Sequence, residues 1–489
     1  MQPTQAYGSI AIEQARGSLM CTSVVEAESP VAGIRRVAVI KWRLLRDRVG
    51  GTFLGDVLKL SFGTLAGRLI TLAAMPLLTR LYSPDDFALL AVYLALVSTL
   101  AVVACLRLEI AITLAETDES AVALLALSLI ALVGVTVAIA AAVVLMPGHI
   151  AAGLGCPGIA PWLWLVPLGV WLAGSYSALQ FWSTRARRFG DIARTRVGQA
   201  VSGVATILAL GWAGVTPLGL LLGNVLNIGS GGLSLAAGTW RHDAARLRGL
   251  RSRHLWPVLW QNYRFPLISM PEALLNVAGA QVPVLLIAAH AGAEAGFLLL
   301  AMQVMTAPMT LLGSSISQVY VSRAPQEFRD GQLAPFTLAI MRRLALVGTG
   351  PLVLAGALAP PIFPVMFGSA WERSGQLIGW LVPWMVLQFV ASPVSMVMFV
   401  VGRQRAMLML TMLGVVLRVG FVWIAVSLAD VGAVIALAVG SILYYLAVLA
   451  YVLNAAGIRP RQAVALPAAF LDWRVLAPVA LAAVFHLLT

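Results

Sequence analysis

Residues 57–81 read VLKLSFGTLAGRLITLAAMPLLTRL, an apolar run broken near its middle by Arg68. As a helix the run is long enough to cross a hydrocarbon core of ~30 Å. An arginine at that depth costs about 2.5–3.5 kcal/mol on insertion scales, so it turns toward protein or a watery cavity instead of lipid. The segment therefore predicts neighbouring helices that shelter a cation.

The rest of the chain supplies them. Of its 489 residues 60% are hydrophobic and 11% charged, and mean hydropathy is +0.91. A soluble chain carries about 25% charged residues, so the composition predicts an all-α polytopic membrane protein. Cys21, Cys105 and Cys156 lie far apart, and the five histidines are scattered, which argues against a disulfide framework or a metal site. The net charge of +13 does not imply nucleic acid, because the basic residues cluster in short loops between apolar segments.

Twelve spans are expected, at about 57–79, 86–106, 121–146, 160–182, 197–213, 216–238, 265–289, 295–320, 337–359, 376–400, 406–428 and 431–454. With the N-terminus inside, 27 of the 33 Lys and Arg residues fall on the cytoplasmic side, and only Arg80 and Arg373 fall opposite. Such asymmetry predicts a multi-pass protein of a bacterial inner membrane with both termini cytoplasmic. Residues 1–50 are expected to form a cytoplasmic tail ending in a basic amphipathic segment drawn to anionic lipid. An N-lobe of helices 1–6 follows (51–240), then a basic linker (241–264), a C-lobe of helices 7–12 (265–454), and a tail (455–489) with a short apolar run, Val475–Leu488. The sequence leaves open whether that run enters the membrane.

The lobes echo one another. PLLTRLYSPDDFALLAVYLAL from Pro76 and PVLLIAAHAGAEAGFLLLAMQV from Pro283 both pass from a Pro-containing helix through an acidic turn to a Phe. Two six-helix lobes around a central cavity fit transport folds that bind at the repeat interface.

Particular stretches carry a family likeness: Thr79-Arg80-Leu81-Tyr82-Ser83-Pro84 with Asp86-Phe87, then Leu106-Arg107-Leu108-Glu109-Ile110-Ala111-Ile112. The second lobe adds Tyr263-Arg264-Phe265-Pro266, Pro271 with Leu274-Leu275-Asn276, and Ser314-Ser315-Ile316-Ser317-Gln318-Val319. Together they resemble the Wzx-like oligosaccharide flippases of the multidrug/oligosaccharidyl-lipid/polysaccharide exporter (MOP) superfamily, over roughly Lys59 to Asn454. One departure is Leu114-Ala115, where relatives tend to have Leu-Pro. The resemblance implies a transporter, not an enzyme. It implies movement of a polyprenyl-pyrophosphate-linked oligosaccharide from the inner to the outer leaflet, for a surface polysaccharide such as an exopolysaccharide. Membrane lipids, a glycan polymerase and glycosyltransferases are the expected partners. No cofactor is expected, and coupling is left to H+, Na+ or the membrane potential.

A sugar headgroup crossing hydrocarbon needs substitutes for its lost water. Candidate linings are Glu272, Asn276, Gly279 and Pro283 in helix seven, and Gln303, Thr306, Thr310, Ser314 and Ser317 in helix eight. Asn224, Asn227 and Ser234 form a third stripe in helix six. Each stripe serves equally well as interhelical glue. Arg68 and Arg418, one per lobe, are candidates for the diphosphate, with intramembrane pairing to Glu272 as the competing role. Glu272 is the candidate for ion coupling. Two further readings stand beside the flippase: a drug or cation exporter of the same superfamily, which would want deep acidic residues, and a non-transporting scaffold for glycan synthesis. A polymerising or ligating enzyme would want a larger external loop than any here.

Overall fold

Among the residues described by the computed structural model (53–248, 255–428 and 432–459), every long element is a helix. The readings for the tail 1–50 and for the run 475–488 lie outside the described residues. Twelve helices have 21 residues or more. In the first half they are α1 Phe53–Leu81, α2 Pro84–Ala104, α3 Asp118–Leu145, α4 Leu165–Arg185, α5 Phe189–Trp212 and α6 Leu218–Arg248. In the second they are α7 Met270–Ala291, α8 Glu294–Arg329, α9 Leu333–Phe367, α10 Glu372–Val394, α11 Gln404–Ser427 and α12 Ala433–Ala455.

By length and composition nine segments are apolar enough to cross a membrane; α4, α5 and α8 fall short. Their shortfall has a physical source. Helix α5 carries Arg194, Arg196, Gln199, Ser202 and Thr206, and α8 carries Gln303, Thr306 and Ser317, side chains suited to a wet interior. Several helices outrun their expected spans. Helix α6 continues to Arg248, so residues 241–248 of the expected linker are helical, and α8 continues to Arg329. Hydropathy marks only the part of a helix that sits in lipid.

The packing repeats with an offset of six helices. Helix α1 packs on α5, α2 and α3 on α4, and α4 and α5 on α6. Likewise α7 packs on α11, α8 and α9 on α10, and α10 and α11 on α12. Small residues set the first contact in each lobe: a Cβ on Gly63 of α1 would lie 2.6 Å from the Ala193 carbonyl oxygen, and one on Gly279 of α7 would lie 2.9 Å from Val415 Cγ2. These are two six-helix lobes of one topology, and α2 joins them by packing on both α7 and α8.

Local chemistry fixes the turns. Ser83 ends the α1–α2 turn with a capping box: its Oγ accepts from Asp86 N at 3.2 Å, and Asp86 Oδ2 accepts from Ser83 N at 2.9 Å, with Pro84 at the first helical position. Tyr82 beside it donates its hydroxyl to Ile207 O at 2.8 Å. At the other end of α2, Leu106 and Arg107 both take left-handed φ (52° and 61°) and lead into a short helix, Leu108–Leu114. Arg185 holds that helix by donating to Ile112 O and Ala115 O.

Glu109 of this short helix is 4% exposed, and its Oε2 has no hydrogen-bond partner. Burial raises its carboxyl above the ordinary glutamate value, against smaller opposing effects from a backbone hydrogen bond and Arg107. A raised folded-state pKa stabilises the fold at low pH, and that contribution is lost as pH rises through it. Thermal stability in detergent should therefore fall as pH rises above the usual glutamate range, and Glu109→Gln should flatten the fall; an identical pH profile in the variant would count against it. Gly63→Val should overpack the α1–α5 contact at a cost of about 1–3 kcal/mol. Its melting temperature should drop by several degrees, whereas an unchanged one would show that the helices can part.

Candidate functional site

Helix α1 turns Thr64, Gly67, Arg68 and Thr71 onto one face, at positions i, i+3, i+4 and i+7. That face lines a cavity of about 320 Å³ completed by Arg196, Gln199 and Ala200 of α5, Asn224 and Asn227 of α6, and Gln303 and Ala307 of α8. Helices α1 and α8 thus both line it, and residues of both lobes share its wall. No acidic side chain lines it among the described residues.

The polar groups differ in what they leave free. Arg196 donates from Nη2 to Gln180 Oε1 at 3.1 Å and lies 5.3 Å from the Tyr176 ring, yet its buried Nε has no partner. Arg68 is exposed into the cavity and has no ion pair or hydrogen bond among the described residues. Asn224 donates from Nδ2 to Leu220 O at 3.1 Å, which leaves its side-chain oxygen available, and the buried Oε1 of Gln303 is unpartnered. The absence of a side chain on Gly203 admits Asn227, whose Nδ2 would lie 2.8 Å from a Cβ there. Two guanidinium groups and several amides thus converge on one space, an arrangement suited to an anion with many acceptor oxygens.

Of the residues singled out from the sequence, Arg68, Asn224, Asn227 and Gln303 share this wall. Arg418 lines neither this cavity nor the second one described below. It sits between α11 and α12, its guanidinium 4.4 Å from the Tyr444 ring and 5.4 Å from the Tyr445 ring. Glu272 and Asn276 lie one turn apart on the exposed face of α7, outside both cavities. Arg196 was missed because it follows Arg185, Arg187, Arg188 and Arg194 and so counts as part of a basic loop. The helical spacing of Arg196, Gln199, Ser202 and Thr206 was the signal that placed it on a polar helix face.

A second cavity of about 310 Å³ lies within the C-lobe, lined by Thr306, Met309, Gly313 and Ser317 of α8 and Gln388, Phe389, Ser392 and Pro393 of α10.

One end of the bundle is sealed. Toward it the first cavity narrows into an apolar pocket walled by Met75, Leu78, Phe87, Leu90 and Ile207. Beyond stands Trp371, 1% exposed, between α9 and α10. Its Nε1 donates to Thr79 O at 2.9 Å, across the lobes, and its ring meets Phe87 and Phe297 edge-on at 4.8 Å and 5.9 Å. Nearby, a Cβ on Gly296 of α8 would lie 2.0 Å from Pro84 O of α2. The Thr79–Phe87 motif is thus the N-lobe half of a seal.

The sequence matches the family model for polysaccharide biosynthesis proteins over residues 77–376. The chain belongs to that family. The match agrees with the likeness carried by the motifs, and both motif-bearing turns of the N-lobe fall within it. No curated protein matches the sequence significantly. Solved structures share the fold at low identity. A lipid II flippase, MurJ, in an inward closed conformation has a TM-score of 0.68 at 12% identity, covering 88% of this chain and 92% of its own. An inward-facing multidrug resistance MATE family transporter of the MOP superfamily gives 0.58 at 15%, covering 81% and 95%. A MOP superfamily transporter from Pyrococcus furiosus Vc1, described by a binding pocket of reverse polarity, gives 0.53 at 16%, covering 82% and 95%. This family member is a multi-pass membrane protein that shares its fold with those transporters.

The seal can be opened by design. Trp371→Ala removes both ring contacts and the hydrogen bond, so a cysteine placed by Thr79→Cys should become several-fold more reactive toward a membrane-impermeant maleimide. Equal labelling rates with and without Trp371 would show that something else closes this end.

Proposed function

We propose that this protein is a flippase that carries a polyprenyl-pyrophosphate-linked oligosaccharide from the inner to the outer leaflet of the bacterial inner membrane, for a surface polysaccharide. One observation carries the reading: two guanidinium groups, Arg68 and Arg196, line a cavity free of acidic side chains among the described residues, within a bundle of transporter fold. A diphosphate leaving water loses hydration worth far more than any neutral hydrogen bond returns. Paired guanidinium forks replace it with charge-assisted bonds, and the amides of Asn224, Asn227 and Gln303 extend the polar wall toward the attached sugar. The same charges disfavour a cationic drug as cargo.

Positive-inside counting supports cytoplasmic termini, and it puts the Trp371 seal on the outer face. The headgroup then enters from the cytoplasmic leaflet while the prenyl tail stays in lipid. Breaking the Trp371 contacts lets the lobes rock apart on the outer side. An inside-negative potential favours outward movement of the anion by about 2.3 kcal/mol per charge per 100 mV. Polymerase and glycosyltransferases would act on the two sides of this step as donors and acceptors of the same lipid.

Each arginine contributes a charged hydrogen bond of about 1.5–3 kcal/mol, a factor of roughly ten to a hundred in binding. Arg68→Ala and Arg196→Ala should each lower lipid-linked oligosaccharide flipping in proteoliposomes by that factor at normal membrane abundance. The lysine variants should recover part of it, since a point charge lacks the fork. Wild-type flipping by the double alanine variant would end the role given to the two arginines, and no flipping by the wild-type protein would favour a scaffold.

A further inference from the structure

The C-lobe cavity is chemically unlike the first. Its described lining offers two hydroxyls from α8 (Thr306, Ser317), an amide and a hydroxyl from α10 (Gln388, Ser392) and the ring of Phe389, and none of these residues is ionisable. The side chains of Ser317, Gln388 and Ser392 make no hydrogen bond among the described residues, and Thr306 uses its hydroxyl only to donate to Gln303 O at 3.3 Å. Phe389 is fixed: a Cβ on Gly348 of α9 would lie 2.2 Å from its ring, and one on Gly313 of α8 would lie 3.4 Å away. A volume of about 310 Å³ is at the small end of ligand cavities, which run from about 300 to 1,000 Å³.

Its position ties it to the cationic cavity. Gln303 lines the first and Thr306 the second, three residues apart on α8, and the buried Oε1 of Gln303 is unpartnered at the junction. From Thr306 to Ser317 the chamber follows α8 for about 17 Å away from the sealed end. A group attached to an anion held at Arg68 and Arg196 would meet it next.

Resting on the diphosphate reading above, we infer that the chamber between α8 and α10 receives the first sugar of the cargo and selects an uncharged hexose ring over an acidic one. Hydroxyl and amide groups replace the water around a neutral sugar, and the ring of Phe389 offers an apolar contact to its C–H groups. A hexuronate would bring a carboxylate against a wall that offers it no cation among the described lining residues, in exchange for part of its hydration.

The test uses the full chain in nanodiscs and three farnesyl diphosphate diesters, carrying a methyl group, a neutral hexose or a hexuronic acid, with binding read by calorimetry. The hexose diester should bind about tenfold more tightly than the methyl diester, the gain of two or three net hydrogen bonds. The hexuronate should gain nothing. Gln388→Leu with Ser392→Ala should erase the hexose gain while leaving the methyl diester unchanged, which also reports that the variant is folded; Thr306→Val alone should erase part of it. Free glucose at millimolar concentration should not compete, which separates a lipid-linked sugar from a free one. A hexose gain that survives the double substitution, an equal gain for the hexuronate, or no gain at all overturns the inference. Failure of the methyl diester to bind, or equal binding to the Arg68→Ala, Arg196→Ala protein, would instead overturn the diphosphate reading.

Discussion

A guanidinium group inside a bilayer has to be surrounded by something other than lipid, and much of this architecture answers that constraint. Arg68 needs a polar room, and no single helix can supply one. Helices α1, α5, α6 and α8 contribute its walls, drawn from both lobes. The glycines of α1 and α5 narrow the helix spacing so that amide side chains reach the same space. The three helices too polar to register as spans by composition include two that face this room. Their polarity is the same constraint seen from the sequence side.

The two lobes share a packing scheme yet carry opposite chemistry. In the cavity shared by both lobes, Arg68 has no partner among the described residues and Arg196 keeps an unpartnered Nε. In the C-lobe, the intramembrane cation Arg418 lies against the rings of Tyr444 and Tyr445, and the lobe's own cavity is neutral among its described lining residues.

Much of this was legible in the sequence. Hydropathy and loop charge located all twelve helices, nine of which carry the strong apolar pattern that lipid imposes on composition. Arg68, Asn224, Asn227 and Gln303 were legible because a polar residue in an apolar run is expensive and so informative. Arg196 was not, since charge near a helix end has an ordinary explanation in topology. Arg418 illustrates the converse: its depth was evident, but whether aromatic faces or a cavity meet it depends on packing between α11 and α12 that no local pattern records. The Trp371 contacts were equally silent, as they join residues almost three hundred positions apart.

The acceptor in that last contact is a main-chain oxygen. Thr79 lies in the final turn of α1, where carbonyls have no partner within the helix, and the indole of Trp371 fills that vacancy. Every residue type would present the same oxygen at position 79. The hydrogen-bonded half of the latch can therefore be retuned from the C-lobe alone, whereas the ring contact of Phe87 with Trp371 is the half that would record matched substitutions.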